Sequence, residues 1–252
     1  MNDIAVCCFA TQDYLPGAAV ALRSFRRHCG LPCDYVLLTN DPAAKAAEPW
    51  ITVRQVDDAA WKHVETRRDV FADVCLKYEA FALPYRRIVL LDGDVLVLSD
   101  VTPLLAREYP GHDLVAVRDH AAVHYYGRRL LELNLDPEKI VNSGVLILKD
   151  AALQTDWPTA FGGIPASCSY DGSDQGYLNY YLQHVAPHLV CFLEDVRYNY
   201  ALDRFYPPCP SKAVVHFTGA DKPWLPGRPH THYRRLYVNL WDTMSSARAG
   251  QD

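Results

Sequence analysis

The chain has 252 residues, half of them hydrophobic, with a formal net charge of -5, enough to bury one large core in the manner of an ordinary globular protein. Its basic residues are dispersed, which excludes the electrostatic footprint of a nucleic-acid binder. No apolar run approaches the roughly 18 residues of a membrane span, and MNDIAVCCFA lacks a basic start and a cleavage-type end, so we expect no span, no secretion signal and a cytoplasmic location.

Residues 4–9 read as a strand, followed by a polar turn at 10–14 and a helix from Pro16 to Gly30. Ala18, Leu22, Phe25 and Cys29 fall on the inner face of that helix, and Arg23, Arg26 and Arg27 read as a solvated face. Residues 34–39 and 51–56 are the next two strands. Residues 70–83 (VFADVCLKYEAFAL) carry a helical period with Val70, Val74, Tyr78 and Phe81 inward, closed by Pro84. Taken alone, Lys77 on that helix reads as solvent-facing. The eight cysteines show no repeated CxxC spacing and several lie in apolar runs, which predicts buried free thiols, neither disulfides nor a zinc site.

Residues 87–100 (RIVLLDGDVLVLSD) are the centre of the chain. Two apolar runs of the kind buried on both faces flank Asp92-Gly93-Asp94, so the turn must surface at the sheet's edge. Two carboxylates one glycine apart offer hard oxygen ligands at the C-terminal end of a buried strand, where open α/β sheets carry their ligands. An Asp-x-Asp triplet is common by chance; its apolar flanks make the metal reading, because an acidic pair near a core repels itself unless a cation or donors neutralise it.

Beyond the turn, residues 101–107 predict a short helix, 113–117 a strand and 125–134 a basic helix. Residues 141–148 (VNSGVLIL) predict a strand whose Asn-Ser-Gly start is either a plain turn or a close approach to a ligand. Segments 158–173 and 206–212 read as loops. Ser173 is a helix N-cap with Asp174 and Gln175 in the first turn, and Asp171, Asp174 and Gln175 are either capping chemistry or a sugar-hydroxyl cluster. Residues 213–217 (AVVHF) predict a strand, and a turn through Gly219 leads to Lys222-Pro223-Trp224. His216 is either a satisfied core residue or the imidazole that completes a divalent-metal site with a carboxylate pair, and Lys222 with glycine N–H groups can hold phosphate oxygens. Residues 233–244 form an amphipathic helix. The alternation of strands and helices argues for a parallel, doubly wound sheet.

Taken in order, FATQDYLPGAAVALRSF, LLDGDVLVLSD, VNSGVLIL, YDGSDQGYLN and VVHFTGADKPW resemble the glycogenin-like retaining glycosyltransferases of family 8, over residues 4–224. The resemblance implies a GT-A, Rossmann-like α/β fold with a mixed, mostly parallel sheet flanked by helices. It implies a single domain, 1–252, with a nucleotide-binding half (1–117), a sugar and acceptor half (118–230) and a C-terminal helix and tail (231–252). By this resemblance Phe9, Thr11, Gln12 and Tyr14 receive uracil and ribose, and Arg68 and Lys77 lie near the diphosphate and donor sugar. Asp92, Asp94 and His216 match manganese ligands, with magnesium as an alternative ion, while Gly93, Gly219 and Lys222 match the diphosphate contacts. Asp119, Asn142, Ser143, Asp171, Asp174 and Gln175 match residues around the donor sugar, Asp174, Gln175 and Lys222 being the catalytic candidates. Gln12 departs from the more usual Asn or Asp. Tyr198-Asn199-Tyr200 falls near the place where the family's namesake carries its self-glucosylated tyrosine; ordinary packing is the competing reading.

The implied reaction moves a hexose from a UDP-sugar, UDP-glucose or UDP-galactose, to a hydroxyl acceptor with retention, the metal ion and Lys222 neutralising the departing diphosphate. A sugar nucleotidyltransferase is the alternative enzyme, but FATQDYLPG is not a Gly-rich basic phosphate loop. A catalytically silent UDP-sugar-binding protein is the other alternative, whose mark would be a lost metal ligand. The sequence leaves the sugar, the acceptor and the oligomeric state open, a dimer included.

Overall fold

The computed structural model describes residues 2–66, 72–202, 205–219, 222–225 and 232–246. Arg68 and Val70, which the sequence reading singled out, lie outside the described residues. Strand β1 (Ile4–Phe9) leads into helix α1 (Leu15–Arg27), then β2 (Asp34–Thr39), β3 (Ile51–Gln55) and a 3-10 helix, Ala72–Ala82. β4 (Arg87–Leu91) and β5 (Val95–Val97) flank the acidic turn, followed by α2 (Thr102–Ala106), β6 (Leu114–Arg118), α3 (Ala122–Glu132) and β7 (Val141–Lys149). The chain continues through α4 (Asp150–Gln154), α5 (Trp157–Gly162), α6 (Asp174–His184), β8 (Val190–Leu193), β9 (Tyr200–Ala201), β10 (Val214–His216) and α7 (His232–Ser246).

Seven strands form the main sheet in the order β3-β2-β1-β4-β7-β6-β8. The pairings are parallel except those of β7, which runs antiparallel to both β4 and β6. Strict alternation along the central strands feeds two cores, because successive side chains point to opposite faces. Val6, Cys8, Val89, Leu91, Val145 and Ile147 face α1 and the second sheet. Ala5, Cys7, Ile88, Leu90, Leu146 and Leu148 face the 3-10 helix, α5 and α6. The second, smaller sheet, β5-β10-β9, grows from the far side of the acidic turn and carries His216 at the C-terminal end of its middle strand. The architecture is the GT-A type mixed α/β sandwich, whereas strand-helix alternation alone led us to expect a parallel sheet; pairing direction is a property of connections, which local pattern does not encode.

Several local expectations are corrected. Segment 158–173 is not all loop: Asp156 accepts from the Thr159 N–H and caps α5, whose Trp157 and Phe161 are buried in the aromatic cluster with Tyr78. The α-helical period expected for 70–83 gives way, over its described part, to 3-10 geometry. At three residues per turn Cys75, Tyr78 and Phe81 stack on one buried face and Val74, Lys77 and Ala80 on the next, so Lys77 is buried instead of solvated. Arg23 is likewise no solvated residue: its guanidinium holds the buried Glu48 and the Met244 carbonyl. Of the thiols expected to be buried, Cys7, Cys8 and Cys75 are, whereas Cys29, Cys33, Cys168, Cys191 and Cys209 are only half-buried.

Candidate active site

The acidic turn lies where three elements meet. β4 ends at Leu91, paired with Val145 of β7, and the Asp92 N–H donates to the Gly144 carbonyl (2.9 Å). On the other side β5 pairs with β10 so that Val95 faces His216, and the Phe217 N–H donates to the Asp94 carbonyl (2.9 Å). This pairing carries the imidazole to the carboxylates. His216 Nε2 lies 3.1 Å from Asp94 Oδ1 and 3.8 Å from Asp92 Oδ2, and one ligand atom from each of the three residues falls within 4.8 Å of the others.

The remaining carboxylate oxygens turn outward to two lysines. Asp92 Oδ1 takes Lys77 Nζ at 2.9 Å, and Asp94 Oδ2 takes Lys222 Nζ. Lys222 also donates to the Phe217 carbonyl (2.9 Å). Lys77 commits its remaining donors to Asp174 Oδ2 (2.8 Å) and Ser143 Oγ (3.1 Å). Burial would raise the Asp94 carboxyl, but Lys222 and His216 outweigh it and hold the group well below the usual carboxylate range. At Asp92 burial prevails over Lys77 and His216, and its carboxyl is raised. Burial works against charge on both lysines too, yet Asp174 and Asp92 raise Lys77, and Asp94 and Tyr14 raise Lys222. Both remain cations.

A cleft of about 180 Å³ opens over this cluster, lined by Phe9, Ala10, Thr11, Tyr14, Asp73, Val74, Lys77, Asp92, Gly93, Asp94 and Asp174. The turn after β1 reaches it because α1 starts against the acidic turn: a Cβ on Gly17 would sit 2.2 Å from the Gly93 carbonyl oxygen and 2.7 Å from the Trp224 ring. Tyr14 packs edge-on against Trp224 with centroids 5.3 Å apart, and Trp224 Nε1 donates to the Asp13 carbonyl (2.9 Å). That contact ties segment 222–225 to the β1 turn. Gly219 has φ +83°, a left-handed conformation that suits glycine.

Not every predicted site residue reaches the cleft. Gln12 is exposed and lines a separate groove with Leu15, Ala19 and Ile51. Asp171 Oδ1 accepts from the N–H groups of Ser173 (2.9 Å) and Gly176 (3.1 Å), and Oδ2 from Ser173 Oγ (2.7 Å). Its oxygens are engaged in building the start of α6. The Gln175 amide is committed at both ends: Oε1 accepts from the Ser143 N–H (3.0 Å), and Nε2 donates to Asp119 Oδ2 (2.8 Å) and the Tyr170 hydroxyl (2.7 Å). Asp119 Oδ1 in turn caps α3 through the Ala121 N–H (2.9 Å) and accepts from Tyr206. Asp174 faces the cleft, with Oδ2 also accepting from Tyr78 (3.1 Å). Tyr198 and Tyr200 are buried, the packing outcome of the two readings.

Asn199 went unremarked in the sequence except as the residue between two tyrosines. It is fully buried, and its Oδ1 lies 3.1 Å from His216 Nδ1. An uncharged polar residue between two tyrosines just before a strand was the local signal.

No family model matches the chain. Over 241 residues, 89% of this chain and 44% of that one, it is 27% identical to glycogenin-2 of Homo sapiens; over 156 residues, 56% and 34%, it is 28% identical to glycogenin of Komagataella phaffii. The chain thus spans less than half the length of these curated relatives. The fold is similar to that of the galactosyltransferase LgtC, solved in complex with donor and acceptor sugar analogs, with a TM-score of 0.76 over 98% of both chains at 17% identity. It is also similar to mouse xyloside xylosyltransferase 1, with a TM-score of 0.61 over 85% of this chain and 97% of that one at 16% identity. Sequence and architecture agree: the chain is similar in sequence to the glycogenins and has the GT-A fold of the family 8 glycosyltransferases that it resembles.

Proposed function

We propose that the chain is a retaining, metal-dependent transferase that moves a hexose from a UDP-sugar, UDP-glucose or UDP-galactose, to a hydroxyl-bearing acceptor. The carrying observation is the division of labour among four carboxylate oxygens. The outer oxygens of Asp92 and Asp94 are each neutralised by a lysine, and the inner two face one imidazole nitrogen. Two carboxylate oxygens and an imidazole, Asp94 and His216 buried and Asp92 half-buried, form the mixed hard-donor set of a divalent cation, Mn²⁺ with Mg²⁺ as the alternative. When bound, such an ion supplies Lewis-acid neutralisation of the charge that builds on a departing diphosphate.

The protein's own groups account for the rest. Lys222 is the cation of the 222–225 segment and, beside Asp94, supplies positive charge for the diphosphate. Tyr14 offers a face to the base, with Phe9 and Thr11 beside it, and the backbone at Gly93 and Gly219 permits close approach. The donor nucleotide falls to 1–117 and the sugar and acceptor to 118–230, where Asp174 faces the sugar with Asn142 and Ser143, and Asp119, Asp171 and Gln175 brace that wall from behind. The Gln175 amide, neutral and doubly bonded, serves as a scaffold and not as a nucleophile. Asp174 is the only carboxylate among the cleft-lining residues of α6, and it is held to Lys77. Attack from the side of the leaving diphosphate, which serves as base, is the route to retention that a Lys77-bound Asp174 supports. Among the described residues no helix is long and apolar enough to cross a membrane, and eight unpaired thiols fit the reducing cytoplasm.

The test is a panel of UDP-sugars assayed for binding and hydrolysis with and without Mn²⁺, on wild type and Asp94→Ala. Mn²⁺-dependent turnover that chelation and the substitution abolish is expected. A wild type that neither binds nor hydrolyses any nucleotide sugar, or a substitution without effect, would overturn the proposal.

A further inference from the structure

We infer that Asn199 and Asn142 form a positioning relay that fixes the tautomer and ring orientation of His216, presenting Nε2 to the metal ion as a lone pair. The inference rests on the metal-dependent reading above, and it gives Asn142 a second task besides the sugar-side one that resemblance implies.

The relay is decided by a group that cannot reverse its role. The Gly144 backbone N–H can only donate, and it donates to Asn142 Oδ1 at 3.0 Å, so the Asn142 amide is held with its oxygen on that side. Asn199 approaches the same oxygen at 2.8 Å and must therefore present its NH₂ group there. The other end of the Asn199 amide is then an acceptor, and it lies 3.1 Å from His216 Nδ1. Nδ1 must carry a proton, which makes Nε2, on the side of Asp92 and Asp94, the nitrogen left to ligate an ion; a proton that Nε2 shares with Asp94 Oδ1 at 3.1 Å in metal-free protein departs when the ion binds. Reversal of either amide would set two donors or two acceptors against each other in a site where Asn199 is fully buried and water cannot compensate.

The fold supplies the parts. Parallel pairing of β9 with β10 sets Ala201 against His216, so Asn199, just ahead of β9, reaches the ring from behind. β7 delivers Asn142 and Gly144 from the opposite side, and Gly144 leaves room for the ring: a Cβ there would lie 2.2 Å from Cε1 and 2.5 Å from Nδ1. Partners of this kind orient metal-ligating histidines, and their removal typically costs about 10- to 100-fold in metal affinity.

Metal-free protein carrying ¹⁵N-histidine, examined by long-range ¹H–¹⁵N correlation, reads the tautomer directly, with the His216 signal assigned by its loss in His216→Gln. A protonated Nδ1 is expected, whether Nε2 is bare or shares a proton with Asp94; an Nδ1 without a proton would overturn the relay. Mn²⁺ titration followed by electron paramagnetic resonance, with no nucleotide present, is the second measurement. Asn199→Ala should raise the Mn²⁺ Kd about 10- to 100-fold, and Asn142→Ala, which frees the Asn199 amide to turn over, should raise it less. The tautomer measurement on wild type carries the test if the alanine variants do not fold. Wild type that fails to bind Mn²⁺ would overturn the metal reading, whereas wild-type binding that both alanine variants leave unchanged would overturn the relay alone.

Discussion

Gly144 and His216 occupy space that no larger pair could share: any side chain at 144 would begin 2.2 Å from the imidazole Cε1. The glycine is required by close approach, since it sits within β7 in extended backbone. Gly144→Ala must therefore displace the ring or the strand. We expect a stability loss of about 1–3 kcal/mol, the usual cost of overpacking, and weakened Mn²⁺ binding. Urea unfolding and Mn²⁺ titration check both; wild-type values in both would mean that the ring moves aside without consequence.

Lys77 is the shared counter-ion of Asp92 and Asp174, on side chains 6%, 26% and 8% exposed. Removing one partner of a buried pair strands the other charge, at a cost of about 3–5 kcal/mol. Lys77→Met should destabilise the fold by an amount of that order, and adding Asp174→Asn should recover part of it, because the two sites share one interaction. Chemical denaturation of the single and double variants measures the coupling, and strictly additive losses would contradict it.

The acid limb of stability should carry a contribution from Asp94. Its carboxyl is depressed in the folded protein, so below the ordinary value of 3.8 the unfolded chain takes up a proton that the folded chain refuses. The resulting stabilisation is complete above that value and is lost as pH falls toward the depressed folded one. In metal-free protein the stability difference between wild type and Asp94→Asn should be flat above about pH 5 and shrink below 3.8. Unfolding free energies between pH 3 and 6 would show it, and a pH-independent difference would count against the Lys222 and His216 pairing.

Tyr14 lines the cleft with its ring braced by Trp224. If the ring stacks on the base, Tyr14→Ala should weaken UDP binding roughly 2- to 12-fold, about 0.5–1.5 kcal/mol, while Tyr14→Phe stays near wild type. Calorimetric titration with UDP and Mn²⁺ decides this. An equal loss in both variants would assign the effect to the hydroxyl instead.

Local sequence determined the frame of the site. Apolar runs on either side of Asp92-Gly93-Asp94 made that turn the end of a buried strand, and Ser173 announced the start of α6, because periodicity and capping act over a few residues. Tertiary structure alone decided which polar groups meet. Lys77 is buried because a 3-10 run turns it toward two acids, and Asn199 matters because parallel pairing of β9 with β10 sets it behind His216. A buried polar side chain takes its role from its hydrogen-bond partner, and that partner is chosen by contacts between segments far apart in the chain.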